Sequence, residues 1–490
     1  MKGYDEKMVN SAKEIIDRLT VNPKKLRANA TAKDEKIKDF LLRENSNFVE
    51  NIQLIYHNIQ NHEDGKYLFE EIFEPAVQQL YKDGTIYVHD KKLMVYCNSL
   101  SCREIATKGI PSLAANMHAP GAPKHVSSLV GLMSNAVTLL SQQTSGAVML
   151  SQMVDVMASY LFIEEMENKV PREWLETILK QEFQSLICEL NMPLRSGSQS
   201  SFSNITLNFG KPSDEIRDEY VVYGGAVKLF TYSEIPVEYY DKVTNLFIEA
   251  LYEENIKSKV PLTFPLITVP IDDNFKYDNP SFLDLLKKMY VWGGCYFENF
   301  TTPAFSLEKY TSKNPLIKPK DPETSRSMCC RLNIDMKVLA RAGGGIFGSS
   351  VGNTGAVQVI NINLVKLFLD YKYKFNEDWD KLIERLYEIM DVIEQAMMDK
   401  REWLEANKHL YPTFFAYNKD LKNYFNVFAV TGMHEALITL GYEGGMNNEK
   451  GKELTHKFMQ AVHERIDYYI VRDKVAVALE AAPKMMGGIQ

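Results

Sequence analysis

The sequence predicts an α/β fold around one large core. Short β-branched or apolar runs recur along the chain, segments of helical periodicity lie between them, and the composition is that of a globular protein. The 490 residues are 45% hydrophobic and 24% charged, which permits two or three domains or a single large barrel. No repeat, low-complexity tract or linker divides the chain, so one core is the simpler reading.

Residues 1–80 read as an N-terminal helical segment, with Leu41, Leu42, Val49, Ile52, Ile55 and Ile59 at helical spacing, and 81–490 as the main domain. A short strand, Thr85–Val88, leads into His89-Asp90. From Lys124 to Asn168 the apolar residues run at helical intervals, and two long helices interrupted at Gly131 and Gly146 are expected. Strands are predicted at Phe202–Leu207 and Leu262–Val269; Pro261, Pro265 and Pro270 mark the latter as an irregular, rim-like strand. Val357–Leu364 reads as a buried strand, and Trp379, Leu382, Leu386, Met390, Ile393 and Met397 mark one face of an amphipathic helix. A strand over Phe425–Thr431 precedes Gly432-Met433-His434-Glu435, and a helix from Glu453 to Val471 feeds a strand at Val475–Leu479.

Composition narrows the function. The six cysteines (Cys97, Cys102, Cys188, Cys295, Cys329 and Cys330) show no framework spacing, and the N-terminus lacks the order of a signal peptide, so reduced thiols and a cytoplasmic location are expected. No apolar run approaches the roughly 18 residues of a membrane span. A net charge of −8 speaks against a nucleic-acid surface and leaves a small-molecule or nucleotide substrate.

The chemistry is expected around the thiol pair in Arg326-Ser327-Met328-Cys329-Cys330-Arg331-Leu332, which enters the glycine run Gly343-Gly344-Gly345. No second cysteine pair or Cys/His set accompanies it, so no metal site is assigned. Gly343–Ser350 has the composition of a phosphate cradle but lacks the P-loop lysine, and a flexible turn explains it equally well. His89-Asp90 and His434-Glu435 are orienting pairs or hydrogen-bonded structural pairs. Ser196–Ser201 offers hydroxyls and backbone donors to a phosphate, or is a plain loop.

Taken in order, several segments resemble the anaerobic, class III ribonucleoside-triphosphate reductases of the glycyl radical enzyme superfamily. They are Arg27–Ala30, Tyr87–Asp90 with Tyr96-Cys97, Gly197–Thr206, Phe264-Pro265, Met328–Leu332, Gly348-Ser349 with Thr354-Gly355 and Asn363-Leu364, Gly432–Glu435, and Leu479–Pro483. The resemblance implies a ten-stranded α/β barrel of two five-stranded halves, surrounded by helices, with a central finger loop. It places the thiyl cysteine at Cys330, with Cys329 the competing position, and the second redox cysteine at Cys97. It assigns substrate binding to His89, Asp90, Ser198, Gln199, Ser200, Ser201, Asn204, His434 and Glu435. It further implies a homodimer through the helices between Lys124 and Asn168, ATP and dNTP effectors, and a radical-SAM activating enzyme.

Two departures qualify the match. Formate-using members carry an asparagine two residues before the glycine that begins the strand after the finger loop. Aligning on Asn363-Leu364 puts Ala356 and Gln358 at those positions, so a redoxin is favoured over formate as reductant. The glycyl radical loop and zinc ribbon that follow the Glu-x-x-Pro segment in the family are not recognisable here, nor is an ATP-cone at the start. Gly487 and Gly488 lack the radical-site context. The expectation is therefore a catalytic portion that binds no cofactor itself and is completed by a second chain carrying the glycine loop and ribbon. Alternatives are a non-catalytic nucleotide-binding or assembly subunit, or another glycyl radical enzyme.

Overall fold

The computed structural model describes residues 51–113, 117–213, 216–258, 262–292, 295–299, 325–328, 332–335 and 353–481, with single residues at 12, 49 and 301. Cys329, Cys330, the glycine run 343–350 and residues 482–490 lie outside the described residues, as does nearly all of the segment 1–50.

The elements run α1 (Ile52–Tyr67), α2 (Pro75–Lys82), β1 (Ile86–Val88), β2 (Cys97–Ser101), α3 (Cys102–Lys108), α4 (Val126–Ser141), β3 (Val148–Ser151), α5 (Met153–Met166), α6 (Arg172–Asn191) and β4 (Ser203–Thr206). A hairpin of β5 (Tyr220–Tyr223) and β6 (Ala226–Thr231) precedes α7 (Val237–Lys257), β7 (Leu266–Ile271), α8 (Pro280–Trp292) and β8 (Cys295–Asn299). Then come β9 (Ser325–Met328), β10 (Leu332–Asp335), β11 (Thr354–Asn363), α9 (Leu364–Tyr373), α10 (Trp379–Ala406), α11 (Pro412–Tyr417), β12 (Tyr424–Thr431), α12 (Met433–Thr439), α13 (Glu449–Asp473) and β13 (Ala476–Ala481). Helix starts follow the local chemistry: Asn51, Asn363, Asp378 and Asn448 each accept a first-turn amide in their side chains.

Nine strands form one sheet in two halves. In the first half β2, β3, β4, β7 and β8 are all parallel. In the second, β11, β12 and β13 are parallel to one another. The halves meet where β11 runs antiparallel to β2. β9 and β10 form a separate antiparallel hairpin, with Met328 opposite Leu332, and β10 comes close to β13.

Strand alternation sorts the core into an outside and an inside. Leu100, Val148, Leu150, Ile205 and Ile267 face α4 to α7, while Ile360, Ile362, Phe428 and Val477 face α9, α10 and α13. The opposite faces carry Cys97, Ala147, Met149, Ala356, Val359, Val427, Ala429 and Ala478 in a cluster of their own. The inside is thus lined largely by small side chains. Helix α10 shows the predicted stripe: Leu382, Leu386, Met390, Ile393 and Met397 are all buried.

Three expectations about elements are corrected. The stretch read as two interrupted helices contains a strand, β3, between α4 and α5, and Gly131 lies inside α4 without breaking it. Its run Ala147-Val148-Met149-Leu150 is buried on both faces, so it shows no alternation to betray a strand. β7 is central rather than peripheral, paired to β4 and β8. Pro270 is tolerated because it lies beyond the Leu266–Thr268 stretch that pairs with β4.

Candidate active site

β1 and β2 are two parts of one interrupted strand. Ile86–Val88 pairs antiparallel with Ile362–Ile360, and Cys97–Ser99 continues in the same direction along Ala356–Thr354. The segment between them leaves the ladder after His89, whose amide donates to Val359 O at 3.2 Å. It returns at Tyr96, whose amide donates to Ala356 O at 2.8 Å. β11 accommodates this with an irregularity between Ala356 and Gln358. Asp90 and Lys91 take left-handed backbone angles, φ 55° and 42°, to make the exit.

The detour puts three rings on the inner side. The His89 ring lies 5.0 Å from Tyr87 and 6.0 Å from Tyr96, both edge to face. Cys97 follows, buried, in a slot that two glycines make possible. A Cβ at Gly146 would stand 2.8 Å from Cys97 Sγ and 2.6 Å from Tyr96 O, and one at Gly355 would collide with the Cys97 carbonyl. Cys97 is a free thiol, as are Cys102, Cys188 and Cys295. Burial pushes the Cys102 and Cys295 thiols up, the latter to about 12.

The serine loop forms the next wall. Arg195 to Ser198 is a tight turn closed by Ser198 N donating to Arg195 O, with Ser196 and Gly197 at φ 48° and 65°. Two successive positive φ values define a type I′ turn. Asn51 Nδ2 fastens it through Gly197 O at 2.8 Å. Ser198, Gln199, Ser200 and Ser201 are all buried. Ser201 shares a hydrogen bond with Ser141 at 3.2 Å, and the Ser198 hydroxyl has no partner among the described residues. Asn204, on β4, donates to Leu266 O and Thr268 Oγ1, and its Oδ1 likewise has no partner there.

His434 and Glu435 stand elsewhere. They open α12 after the left-handed Gly432. His434 accepts the Met446 amide through Nδ1, and Glu435 is exposed. They follow the end of β12 at Thr431, opposite Asn363, whereas Cys97 lies opposite Ala356 at the other end of β11. Among the described residues no group of three or more His, Cys, Asp or Glu side chains could hold a metal ion.

Two charged residues that the sequence reading passed over are central here. Arg195 is buried, and its Nη2 donates to Thr144 O at 2.8 Å and to Ser145 O. Desolvation lowers its proton affinity, with Asp90, Cys97 and Tyr96 acting in the opposite direction. The available signal was an arginine directly before a Ser-Gly turn. Lys400, on α10, is fully buried and donates to Gln358 Oε1. Gln358 Nε2 in turn donates to His89 O at 2.7 Å and Val359 O at 3.0 Å, which braces the point where the strand leaves the ladder. Desolvation pulls the Lys400 ammonium down to about 7, against the opposing pull of Asp90 and Asp64. Its signal was position: Lys400 falls three residues after Met397 and seven after Ile393, on the buried stripe.

The fold has counterparts in known proteins. The structure of the anaerobic ribonucleotide reductase from Thermotoga maritima with dATP bound in the specificity site aligns with a TM-score of 0.68 at 18% identity, covering 98% of this chain and 77% of that one. The same enzyme in complex with dATP and CTP gives 0.67 at 18% identity over the same shares. A structure described as an anaerobic ribonucleotide reductase gives 0.70 at 19%, covering 97% and 69%. At such identities these alignments establish the α/β barrel fold. A search of the curated proteins returns no significant match. The family model for anaerobic ribonucleoside-triphosphate reductase matches residues 44–484, and with nine-tenths of its length inside that match the chain belongs to the anaerobic ribonucleoside-triphosphate reductase family.

Proposed function

We propose that Cys97 is the chamber thiol at which this reductase removes the 2′-hydroxyl of ribonucleoside triphosphates, with Cys330, or its neighbour Cys329, as the second sulfur. The observation that carries the assignment is the placement of Cys97: buried at the head of β2, between Gly146 and Gly355, on the inner face of the sheet. The overall reaction balances on two thiols. The C2′–OH bond is replaced by C2′–H, the hydroxyl leaves as water, and the two S–H groups become one disulfide. An interior lined by Ala147, Ala356, Ala429 and Ala478 suits radical chemistry, since a nucleotide fits only where side chains are small and water is kept from the reacting centre.

A glycyl radical, carried in the same polypeptide or by a complementing chain with a zinc ribbon and generated by a radical-SAM activating enzyme, supplies the unpaired electron that the family's chemistry needs. The residues here provide the rest. Ser198 Oγ and Asn204 Oδ1, which have no partner among the described residues, are offered to the nucleotide, with Gln199, Ser200 and Ser201 beside them; His89 and Asp90 stand at the break in the wall, and His434 with Glu435 are assigned by resemblance alone. The homodimer is expected through the helices between Lys124 and Asn168, and exposure favours α4: α5 is almost wholly buried within the subunit, while α4 turns Ser127, Ser128, Gly131 and Asn135 outward. Deoxynucleotide effectors are placed beside that helix. Ala356 and Gln358 occupy the irregularity in β11, and Gln358 is committed to His89 and Lys400, which supports a redoxin rather than formate as reductant. No helix among the described residues is long and apolar enough to cross a membrane.

The test is anaerobic. Wild-type chain, isolated with its native partners and treated with the activating enzyme, is assayed for dCTP formation from CTP beside Cys97→Ser and Cys188→Ser. Wild type and Cys188→Ser are expected to form dCTP, and Cys97→Ser to form none. Turnover by Cys97→Ser sinks the assignment, and nucleotide binding by wild type without any turnover favours a non-catalytic assembly subunit.

A further inference from the structure

We propose that Asn58 is a base-reading residue of the nucleotide chamber, carried on α1, which forms a third wall of that chamber. The inference rests on the reading of the serine loop and the His89-Asp90 break as the other two walls.

The contacts at both ends of α1 fix which side of the helix faces those walls. At its start Asn51 Nδ2 donates to Gly197 O at 2.8 Å and Val49 N donates to Ser198 O at 2.7 Å. Gln53 packs there too, so close that a Cβ at Gly197 would stand 2.8 Å from Gln53 Cγ. Near its end a Cβ at Gly65 would stand 3.4 Å from Lys91 Cβ and 3.5 Å from Lys91 O, where the chain leaves the break. From Asn51 to Gly65 the helix spans about 20 Å. Gln53, Leu54, His57, Asn58, Asn61 and Gly65 recur at the three- and four-residue spacing of one helix face. The side that meets the serine loop and the break is therefore the side that carries Asn58.

The polarity of that side is the reverse of a helix laid on an apolar core. Ile52 and Tyr56 are each 56% exposed, whereas His57 and Asn58 are buried. Asn58 is only 6% exposed, and neither its Nδ2 nor its Oδ1 has a hydrogen-bond partner among the described residues. A buried amide left in that condition is destabilising unless a ligand completes it. The segment between the walls has the same character. Thr144 is bridged to Val95 on one side and held through its carbonyl by Arg195 on the other. Its Oγ1, Arg195 Nη1 and Ser198 Oγ are also buried with no partner among the described residues. Polar atoms that converge from several segments without partners mark a ligand site.

The amide itself selects the part of the nucleotide. A phosphate only accepts, so it would satisfy Nδ2 and leave Oδ1 unpaired. A base edge offers a donor and an acceptor side by side: amino group and ring nitrogen in cytosine and adenine, ring N–H and carbonyl in uracil and guanine. The Asn58 amide matches the first pair in one orientation and the second after a half-turn about its terminal torsion. No hydrogen bond from the described residues fixes either orientation, which suits a reductase that accepts more than one ribonucleotide.

The test pairs a change in the protein with a change in the ligand. Calorimetry compares CTP with its 4-deamino analogue, which lacks only the exocyclic amino group, on the full wild-type chain and on Asn58→Leu, with excess dATP to fill effector positions. Wild type is expected to bind CTP about tenfold tighter than the analogue, and Asn58→Leu to bind the two within about twofold of each other. A merely structural role for Asn58 weakens both ligands alike and leaves their ratio as in wild type, and that result overturns the proposal. Asn58→Ala gives the same comparison and decides the matter should the leucine variant fail to fold. The measurement needs no turnover, so it is independent of the redox assignment of Cys97. Unchanged discrimination overturns the role of Asn58 alone, whereas no binding of CTP by wild type overturns it together with the reading of the chamber.

Discussion

Lys400 offers the sharpest quantitative prediction. Its ammonium is fully buried and held at about 7 in the folded chain, chiefly by desolvation, against an ordinary lysine value of 10.5. Between these two values the unfolded chain binds a proton that the folded chain does not, so stability rises with pH across the window from about 7 to 10.5. At about 1.4 kcal/mol per unit the full span corresponds to roughly 5 kcal/mol, and the part between pH 7 and pH 9 to roughly 2 kcal/mol, because the folded lysine is still half-protonated at pH 7. Lys400→Met removes the titration and also takes the donor away from Gln358 Oε1, a loss of about 1–3 kcal/mol that does not depend on pH. Urea unfolding of both chains at pH 7 and pH 9, followed by circular dichroism, should therefore show wild type gaining roughly 2 kcal/mol over the variant between the two conditions. Parallel behaviour of the two chains would refute the argument, since the lysine would then be as readily charged inside the fold as outside it.

Glu394, on the same helix, should show the opposite sign in a lower window. Burial raises its carboxyl to about 7 although Asn426 donates to it, so its contribution is full below about 4.5 and is lost as pH rises to 7. Glu394→Gln should flatten the stability change between pH 5 and pH 7 while keeping the Asn426 bond, measured by the same urea titration. Gly146→Ala should destabilise by about 1–3 kcal/mol and depress dCTP formation disproportionately, because the added methyl meets Tyr96 O and Cys97 Sγ; unchanged turnover would mean that the slot is not tight. Gly197→Ala, forced to φ 65°, should cost about 1 kcal/mol and weaken nucleotide binding through the serine loop, read by calorimetry.

The alternation of strands and helices was legible because most strands carry β-branched runs bounded by turn residues, and because α10 presents an unmixed apolar stripe. β3 was not, since a strand buried on both faces has no period-two signal and its neighbours α4 and α5 are equally apolar. Cys97 and the serine loop were named as site residues by resemblance, and the fold supplies their setting. Arg195 and Lys400 were missed for a different reason. A charged residue is read as solvated by default, and only the tertiary arrangement shows the first turned back onto Thr144 and Ser145 and the second driven between α10 and β11. The glycines were ambiguous in the same way: Gly146 suggested a helix break, whereas its role is to let two backbone segments and a sulfur crowd together.

The split strand made by β1 and β2 also sets the order in which the molecule can be assembled. Among the described residues Ile86–Val88 pairs with β11 alone, at Ile360–Ile362, and β2 joins the two halves through the same strand. During synthesis the early segment therefore leaves the ribosome with its ladder partner still to be made, and the wall that carries His89 and Cys97 closes only after residue 363 has emerged. Such long-range pairing is intrinsically slow. The cysteine slot is thus among the late features to form, and a nascent chain that stalls before β11 exposes an unpaired edge with a free thiol beside it, a state for which a chaperone has an evident use.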